Sequence, residues 1–425
     1  MRYRLTIRLS ASIVGAMLVT APWAAAQGPP PPLETLTWTQ VLERFRQNNP
    51  GLSAAELSVR EGQANEVTAG LRPNPTFTST EDQNNLFSTN PYRPFGAVQW
   101  TQSLSQLVER RNKRQLRIDS ARLSTEQSKT DSSDLERNLT FALRDAFVRV
   151  LQGKAIVEVA EENLKYYDRV ISVNRERQKA GDIARVDLTR VELQRAQFQS
   201  DLLNARVNLR TAKIALLALL NDRRSIDQFD LNGPFEFKPV LLTMEEVRAM
   251  ALAARPDLRS AATLIEKAKA DNRLAWANGS TDPTVSMDYT RAGPNNTIGI
   301  GVSIPLRIFD RNQGEKARTA IEVRRSELNR IVLLNNIYRD VDSAYENLKS
   351  AVGLLEPYRD QYLKQSEDVR ETVSFAYQKG GASLLDLLDA QKSYRDTQLN
   401  YRNLVAAYLS AVNQLSLAVG QEVNP

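Results

Sequence analysis

The chain has 425 residues, with 56 lysines and arginines, 50 acids, no histidine and no cysteine. Without cysteine it has no disulfides, no thiolate chemistry and no N-terminal cysteine to carry a lipid. Without histidine it lacks the most common general base and metal ligand, so a Ser-His-Asp triad is excluded. No glycine-rich phosphate loop is present. The composition argues against an enzyme and predicts no cofactor and no resident metal.

The N-terminal residues 1–26 read as an export signal. Three arginines precede an apolar centre at 13–19, and three alanines at 24–26 are typical of a cleavage site. A membrane anchor is the alternative, but the apolar run is shorter than the roughly 20 residues that cross a bilayer. Cleavage removes three cations and no acids, which lowers the formal charge from +6 to +3. That balance does not favour nucleic acid.

The remaining sequence consists of two similar halves. The stretch "LTWTQVLERFRQNNPGLSAA" at 36–55 matches "LTMEEVRAMALAARPDLRSA" at 242–261. Each half predicts a short helix, a helix, two strands, a very long helix, a glycine turn and a long helix. The predicted boundaries are a signal peptide at 1–26, a Pro-rich linker at 27–35, repeats at 36–222 and 242–420, an equatorial linker at 223–241 and a tail at 421–425.

Alternating apolar and small or polar residues predict strands at 74–82, 95–104, 283–290 and 297–306. The stretch "RAGPNN" between the last two has the composition of a turn. A membrane barrel strand and a soluble sheet with one wet face give the same alternation, which on its own favours the soluble sheet. Downstream of the signal no apolar run suits a membrane helix, so only strands could enter a membrane.

Two proline-free stretches, from about 106 to 178 and from about 312 to 378, predict helices roughly 100 Å long. The helix after each glycine carries a heptad repeat, which indicates left-handed coiled coils. In the second half the seam residues are Leu387, Tyr394, Tyr401, Tyr408 and Leu415 with Ala390, Thr397, Leu404, Ala411 and Ala418. In the first half they are Leu188, Arg195, Leu202, Leu209 and Leu216 with Val191, Phe198, Ala205, Ala212 and Leu219.

Each long helix ends at a glycine that is followed six residues later by an aspartate. Gly181 precedes Asp187, and Gly380 precedes Asp386. Both glycines are predicted to be left-handed C-caps that turn the chain. Ser383 is the predicted N-cap of the next helix with Asp386 as its acid, and this purely structural role is the alternative for Asp386.

Four strands per chain cannot close a barrel, for which about eight are needed, so a membrane-spanning form must be an oligomer. The duplicated order, the Gly-x₅-Asp turns and "VSIPLRIFDRNQGE" at 302–315 resemble the TolC-like outer membrane efflux family, in particular its heavy-metal branch. The resemblance implies a mainly α fold with a small β part. Three chains would build a twelve-stranded transmembrane β-barrel that continues into a periplasmic α-barrel of long antiparallel helices.

The same resemblance implies a function and partners. The homotrimer would lie in the outer membrane lipid of a Gram-negative-type cell. Because the chain has no cysteine, it would not be lipidated at that residue. It would be the exit duct of a tripartite efflux pump, served by a periplasmic adaptor and an inner membrane transporter, of the resistance-nodulation-division type in the heavy-metal branch. Metal ions, drugs or other small molecules would pass through it passively. A soluble periplasmic coiled-coil scaffold or adaptor is the alternative.

The resemblance also assigns roles to four residues near the turns. Tyr377, three residues before Gly380, and Asp187 would belong to the contacts that close the periplasmic entrance. Asp386 and Asp389 would form a cation-binding ring, in which mutual repulsion raises some of their pKa values.

The sequence departs from the family at Ala382, where relatives have a constraining arginine. We therefore expect the closed state to be held more weakly, or by other contacts such as those of Arg185 or Arg190. The basic run "ERRNKRQLR" at 109–117 is expected to be a solvated surface rather than a nucleic-acid site.

Overall fold

The computed structural model describes residues 34–83 and 98–423, which form a small antiparallel sheet attached to a bundle of very long helices. The predicted signal peptide at 1–26 lies outside these residues, as do 95–97 of the second predicted strand. The strands are β1 (Glu34–Leu36), β2 (Thr76–Asp82), β3 (Gln99–Leu107), β4 (Phe229–Leu231), β5 (Thr284–Ala292) and β6 (Asn295–Ser303). The helices are α1 (Trp38–Asn48), α2 (Pro50–Gly70), α3 (Lys113–Ala180), α4 (Arg185–Leu219), α5 (Met244–Ala254), α6 (Pro256–Asn278), α7 (Gln313–Pro357), α8 (Leu363–Gln378) and α9 (Leu384–Val419).

The two halves repeat the same order of elements but differ in the long helix that follows the strands, which is continuous in the first half and interrupted in the second. Helix α3 runs without a break for 68 residues, about 100 Å. In the second half a π-helical turn at Tyr358–Tyr362 separates α7 from α8. It follows Pro357, which has no backbone N–H to continue the α-helical ladder.

The predicted start of the first long helix, near Gln106, is wrong. Gln106 lies in β3, and the helix begins at Lys113. Between them, Arg111 and Asn112 have left-handed backbones with φ of 58° and 54°. Two consecutive residues in this conformation stop the strand and redirect the chain, and a count of prolines and glycines cannot detect them.

The predicted heptad seams of α4 and α9 are confirmed, because every residue assigned to them is buried or half-buried. Helix α4 packs against α3, and α9 packs against α3, α7 and α8. The seam ends in fully buried residues such as Tyr408 and Leu415 in the second half and Leu216 in the first. The fold is therefore mainly α with a small β part, built from long antiparallel coiled-coil helices.

The four long strands form one antiparallel sheet in the order β2-β3-β5-β6. Their register places exposed apolar side chains in a row across one face, which we call the apolar face: Phe77, Leu104, Met287 and Ile300. A row on the other face is small or polar: Thr78, Ser103, Asp288 and Gly299. Strands β2 and β6 are the edges and have no neighbour within the part of the chain that is described.

The predicted strand boundaries need correction at both hairpins. Strand β3 runs on to Leu107, and β6 covers 295–303 rather than 297–306. The segment "RAGPNN" is mostly strand, since β5 ends at Ala292 and β6 begins at Asn295. Only Gly293 and Pro294 form the turn, with Gly293 at φ +58°. Because the strand ends contain polar residues, composition alone predicts a longer turn than the two-residue hairpin that is present.

A short parallel pairing of β1 with β4 is absent from the predictions. It lies where linkers were expected, at 27–35 and 223–241, and its strands of three residues are too short to show alternation. Leu36, Phe229 and Leu231 bury their side chains in the core between α1, α3 and α4. In the predicted tail, Val423 is buried and its N–H donates to Ser416 Oγ at 3.0 Å.

None of the helices in residues 34–83 and 98–423 is both long and apolar enough to cross a membrane.

Candidate functional site at the helical turns

Both glycine turns have the same backbone geometry. Gly181 and Gly380 have φ of 86° and 81°, in the left-handed region. After α3, the N–H of Asp182 donates to the Arg177 carbonyl at 2.9 Å; after α8, that of Gly381 donates to the Ala376 carbonyl at 2.8 Å. These six-to-one hydrogen bonds are the pattern of a Schellman C-cap. A methyl group at either glycine would meet no atom within 4 Å, so only the backbone conformation requires glycine.

Gly380→Ala should therefore destabilise the protein, by about 1 kcal/mol, because L-residues pay that amount in the left-handed region. Gly353→Ala is the matched control. Gly353 lies inside α7 with open space around it, so alanine there should stabilise by about 0.5–1 kcal/mol. Thermal unfolding followed by circular dichroism measures both, and equal shifts of the two variants would contradict a conformational role for Gly380.

Helix α9 begins with a capping box. The Ser383 hydroxyl donates to Asp386 Oδ2 at 2.7 Å, and the Ser383 N–H donates to the same oxygen at 2.9 Å. In return the Asp386 N–H donates to Ser383 Oγ at 3.2 Å. Asp386 therefore has the local structural role that the sequence offers as the alternative, and its side chain remains exposed.

Asp187 occupies the equivalent position in the first half but has different contacts. The N-cap of α4 is Ala184, which has no side chain that could bond the Asp187 carboxylate. Within the described residues the Asp187 carboxylate pairs with Arg190 at 3.9 Å, which is the outer limit of an ion pair. The Asp187 side chain is thus half-exposed and free to take a partner outside the helix start.

Tyr377 is buried and connects α8 to α3. Its hydroxyl donates to Asn174 Oδ1 at 2.5 Å, and Asn174 Nδ2 donates to the Val170 carbonyl at 3.0 Å. The Arg177 guanidinium lies 5.0 Å from the centre of the Tyr377 ring, and its Nη1 donates to the Tyr377 carbonyl at 3.4 Å. We call Tyr377, Asn174 and Arg177 the Tyr377 latch.

Within the described residues no hydrogen bond joins Tyr377 to Asp187, because the Tyr377 hydroxyl donates to Asn174. The two are near enough to interact electrostatically. Burial raises the pKa of the Tyr377 hydroxyl, Arg177 and the Asn174 hydrogen bond oppose that rise, and the Asp187 charge adds to it. The phenol is therefore protonated at every physiological pH, and its bond to Asn174 does not titrate in that range.

An apolar cluster surrounds the Tyr377 latch. Tyr167, Ile171, Val191, Leu384 and Leu387 are buried there, and Ala382 packs against them. Ala382 is half-buried, and its methyl group extends this apolar contact. The turn region is therefore held by packing and by one buried polar contact.

Asp386 and Asp389 both have exposed side chains near the start of α9. Hydrogen bonds from Ser383 hold the pKa of Asp386 below its ordinary value, so its carboxylate is ionised at neutral pH. Within one chain this shift is opposite to the rise expected from repulsion in a ring. No group of three or more acidic side chains in the described parts of the chain is placed to hold a metal ion.

Sequence reasoning missed the polar residues that accompany these sites. Asn174 is fully buried, and Asn163 accepts a hydrogen bond from Gln391 Nε2 at 2.8 Å, again linking α3 to another helix. A signal was available, because Asn174 stands seven residues after the buried Tyr167. A polar residue at an otherwise apolar seam position commonly fixes the register of a coiled coil.

Comparison with known proteins agrees with the duplicated fold. The chain matches the outer membrane efflux protein family twice, over residues 41–222 and 247–421. It is 24% identical to the cobalt-zinc-cadmium resistance protein CzcC of Cupriavidus metallidurans, covering 91% of this chain and 90% of that one. It is also 24% identical to the pyoverdine export outer membrane protein OpmQ of Pseudomonas putida, covering 90% and 85%. The crystal structure of CusC superposes with a TM-score of 0.75 at 18% identity, covering 90% and 92%.

The chain belongs to the outer membrane efflux protein family. This confirms the resemblance to the TolC-like family, whose members are channels rather than a class of enzymes.

Proposed function

We propose that three copies of this chain form the outer membrane exit duct of a tripartite efflux pump. The observation that carries the proposal is the sheet, which has one apolar and one polar face, two edge strands without a neighbour in the described residues, and direct connections to the helices, among them α3 at about 100 Å. Such a sheet suits a barrel wall with lipid outside and water inside. The helices extend the water-filled path away from the membrane.

The number of strands requires partners of the same kind. Four strands per chain are too few for a barrel, and pairing β6 of one copy with β2 of the next removes both open edges. With three copies the sheet closes at twelve strands. The helices of the three copies then stand side by side, with the glycine turns at the end furthest from the sheet.

We infer that the duct works with a periplasmic adaptor and an inner membrane transporter of the resistance-nodulation-division type, and that its cargo is divalent metal cations. Two observations support this cargo: the similarity to a cobalt-zinc-cadmium resistance protein and the exposed acidic pair Asp386 and Asp389 at the start of α9. The duct itself holds no substrate tightly. Specificity lies with the transporter that delivers the cargo.

A deletion strain tests the cargo. Cells that lack the gene should become sensitive to cobalt, zinc or cadmium and regain tolerance with the wild-type gene. The same cells should also be tested for siderophore export, since an OpmQ protein is as similar in sequence. A siderophore export defect with unchanged metal tolerance would contradict the metal assignment. Recovery of the chain in the osmotic-shock fluid instead of the outer membrane would favour a soluble scaffold.

We further propose that the Tyr377 latch holds the periplasmic entrance narrow. Tyr377→Phe removes the hydroxyl and leaves the buried Asn174 Oδ1 without its donor, at a cost of about 1–3 kcal/mol per chain. The resting single-channel conductance in planar bilayers should increase as the helical hairpins loosen. Tyr167→Phe is the control, because the Tyr167 hydroxyl is buried in the same cluster without a hydrogen-bond partner in the described structure. Equal conductance in both variants would contradict the latch.

A further inference from the structure

We propose that a basic cleft at the helical end of the sheet binds the phosphate of anionic phospholipids in the inner leaflet of the outer membrane. The inference rests on the proposed function, since it requires the sheet to lie in a membrane. It concerns the four segments that join sheet to helices: 71–75, 107–117, 276–283 and 304–318. We call these the junction segments.

Positive charge is concentrated in the junction segments. They contain ten lysines and arginines and four acids, a net charge of +6. Because the chain without residues 1–26 carries +3, the rest of it carries −3. The positive charge therefore belongs to the junction segments and not to the chain as a whole.

Hydrogen bonds hold the junction segments together. The N–H of Val108 donates to the Pro283 carbonyl at 2.9 Å, and Lys113 Nζ donates to Asp282 Oδ2 at 2.6 Å. Arg114 Nε donates to the Gly70 carbonyl at 2.5 Å, at the end of α2. The basic residues thus lie on a fixed scaffold rather than on separate loops.

Most of these cations have no acidic partner. Within the described residues, the salt bridges of the junction segments are Lys113–Asp282, Arg117–Glu109 and Arg318–Glu315. Seven cations and the single acid Asp310 remain outside them. The charge of the segments is therefore available to an external anion.

Three of the remaining arginines surround one cleft. Arg72, Arg111 and Arg114 are exposed, and together with Gln106 they line a cavity of about 790 Å³ between the β2 and β3 ends of the sheet. The left-handed backbone at Arg111 belongs to the turn that forms one wall. Guanidinium groups that line one concave site are well suited to a phosphate, which each can bind through two parallel hydrogen bonds.

Gln106 places one part of the cleft lining on the apolar face. Gln106 pairs with Val285, which pairs with Val302, and both valines lie with Met287 and Ile300 on the apolar face. The cleft therefore continues the face that the proposed function places against lipid, at the end from which the helices leave the membrane. An anion bound there is the headgroup of a lipid whose acyl chains lie along the apolar face.

Native mass spectrometry of the detergent-purified trimer tests this proposal, with short-chain phosphatidylglycerol and phosphatidylcholine as probes. The wild type should retain phosphatidylglycerol in preference. Arg72→Gln/Arg111→Gln should weaken that binding about twenty-five-fold, about fivefold per arginine, and weaken phosphatidylcholine binding less, because its choline cation offsets the phosphate charge. Arg206→Gln/Arg210→Gln, which removes two exposed cations from α4, should change neither. Unchanged phosphatidylglycerol binding in the first variant would overturn the proposal.

Two further measurements separate the possible failures. Inorganic phosphate at millimolar concentration should not displace the lipid, and full displacement would show a site for the free ion and overturn the lipid assignment. Bilayer conductance of the same preparations monitors the proposed function. A conducting trimer without lipid preference refutes only the lipid site, whereas the lack of any conductance in the wild type refutes the duct on which it rests.

Discussion

Ile300→Arg should abolish channel formation. Ile300 is 82% exposed and lies on the apolar face, in the same row as Phe77, Leu104 and Met287. An arginine at the lipid face of a barrel costs about 2–4 kcal/mol near the bilayer midplane. Three symmetry-related copies multiply that cost, so the assembled barrel should fail to insert. The variant should give no conductance steps in planar bilayers and no heat-modifiable oligomer in the outer membrane fraction.

Ser303→Arg is the control for this change. Ser303 is on the same strand but has the alternate orientation, with Gly299 and Gly301 on the polar face, and it pairs with Thr284. An arginine there should meet water, so the channel should still insert and conduct, with altered ion preference. If both variants insert equally well, the apolar face does not contact lipid. That result would favour the soluble periplasmic scaffold over the channel.

Asp386→Asn/Asp389→Asn should remove the cation preference of the channel. In the proposed trimer the two exposed residues would place six carboxylates at one narrow opening, which would attract cations and repel anions. Asparagine retains an oxygen that can accept the Ser383 hydrogen bonds, so the helix start should survive. The reversal potential in a salt gradient should move from the cation side towards zero.

Two half-exposed acids near the sheet end of α7 give the matched control. Glu322→Gln/Glu327→Gln removes the same charge near the start of α7, far from the glycine turns. This variant should keep the wild-type reversal potential. An unchanged reversal potential in Asp386→Asn/Asp389→Asn would leave Asp386 with its capping role alone.

The pKa of Asp386 sets a pH dependence for the start of α9. Because the Ser383 hydrogen bonds lower the folded-state pKa of Asp386, their stabilisation is present above its unfolded value and is lost as pH falls through the folded value. In the Tyr377 latch the shift has the opposite direction, because burial raises the pKa of the Tyr377 hydroxyl above its ordinary value. The hydroxyl therefore keeps its proton in acid. Acidification below about pH 4 should therefore loosen the α9 start and leave the Tyr377 bond intact.

The long helices, their heptad seams and the glycine turns could be predicted because each depends on local spacing. Apolar residues every seven positions bury themselves wherever two helices meet, and Gly181 and Gly380 are required by backbone conformation alone. The strands were predicted by alternation but not their ends, since β5 and β6 continue through polar residues to a two-residue turn. The β1–β4 pairing depends on partners almost two hundred residues apart, which no local pattern reveals.

The contacts of Tyr377 show why a site is harder to predict than a fold. The sequence resemblance places Tyr377 among the contacts that close the entrance but gives no partner for its hydroxyl, which donates to Asn174 on α3. Which side chain a buried hydroxyl meets depends on how two long helices are rotated against each other. The heptad pattern alone does not determine that rotation.

The central claim is that a single chain cannot form the conduit and that three copies must share one barrel. The mass of the purified, detergent-solubilised protein, measured by light scattering with the detergent contribution subtracted, tests it most directly. We predict three times the mass of one chain. A stable species with the mass of a single chain, soluble without detergent and unable to enter bilayers, would contradict the account.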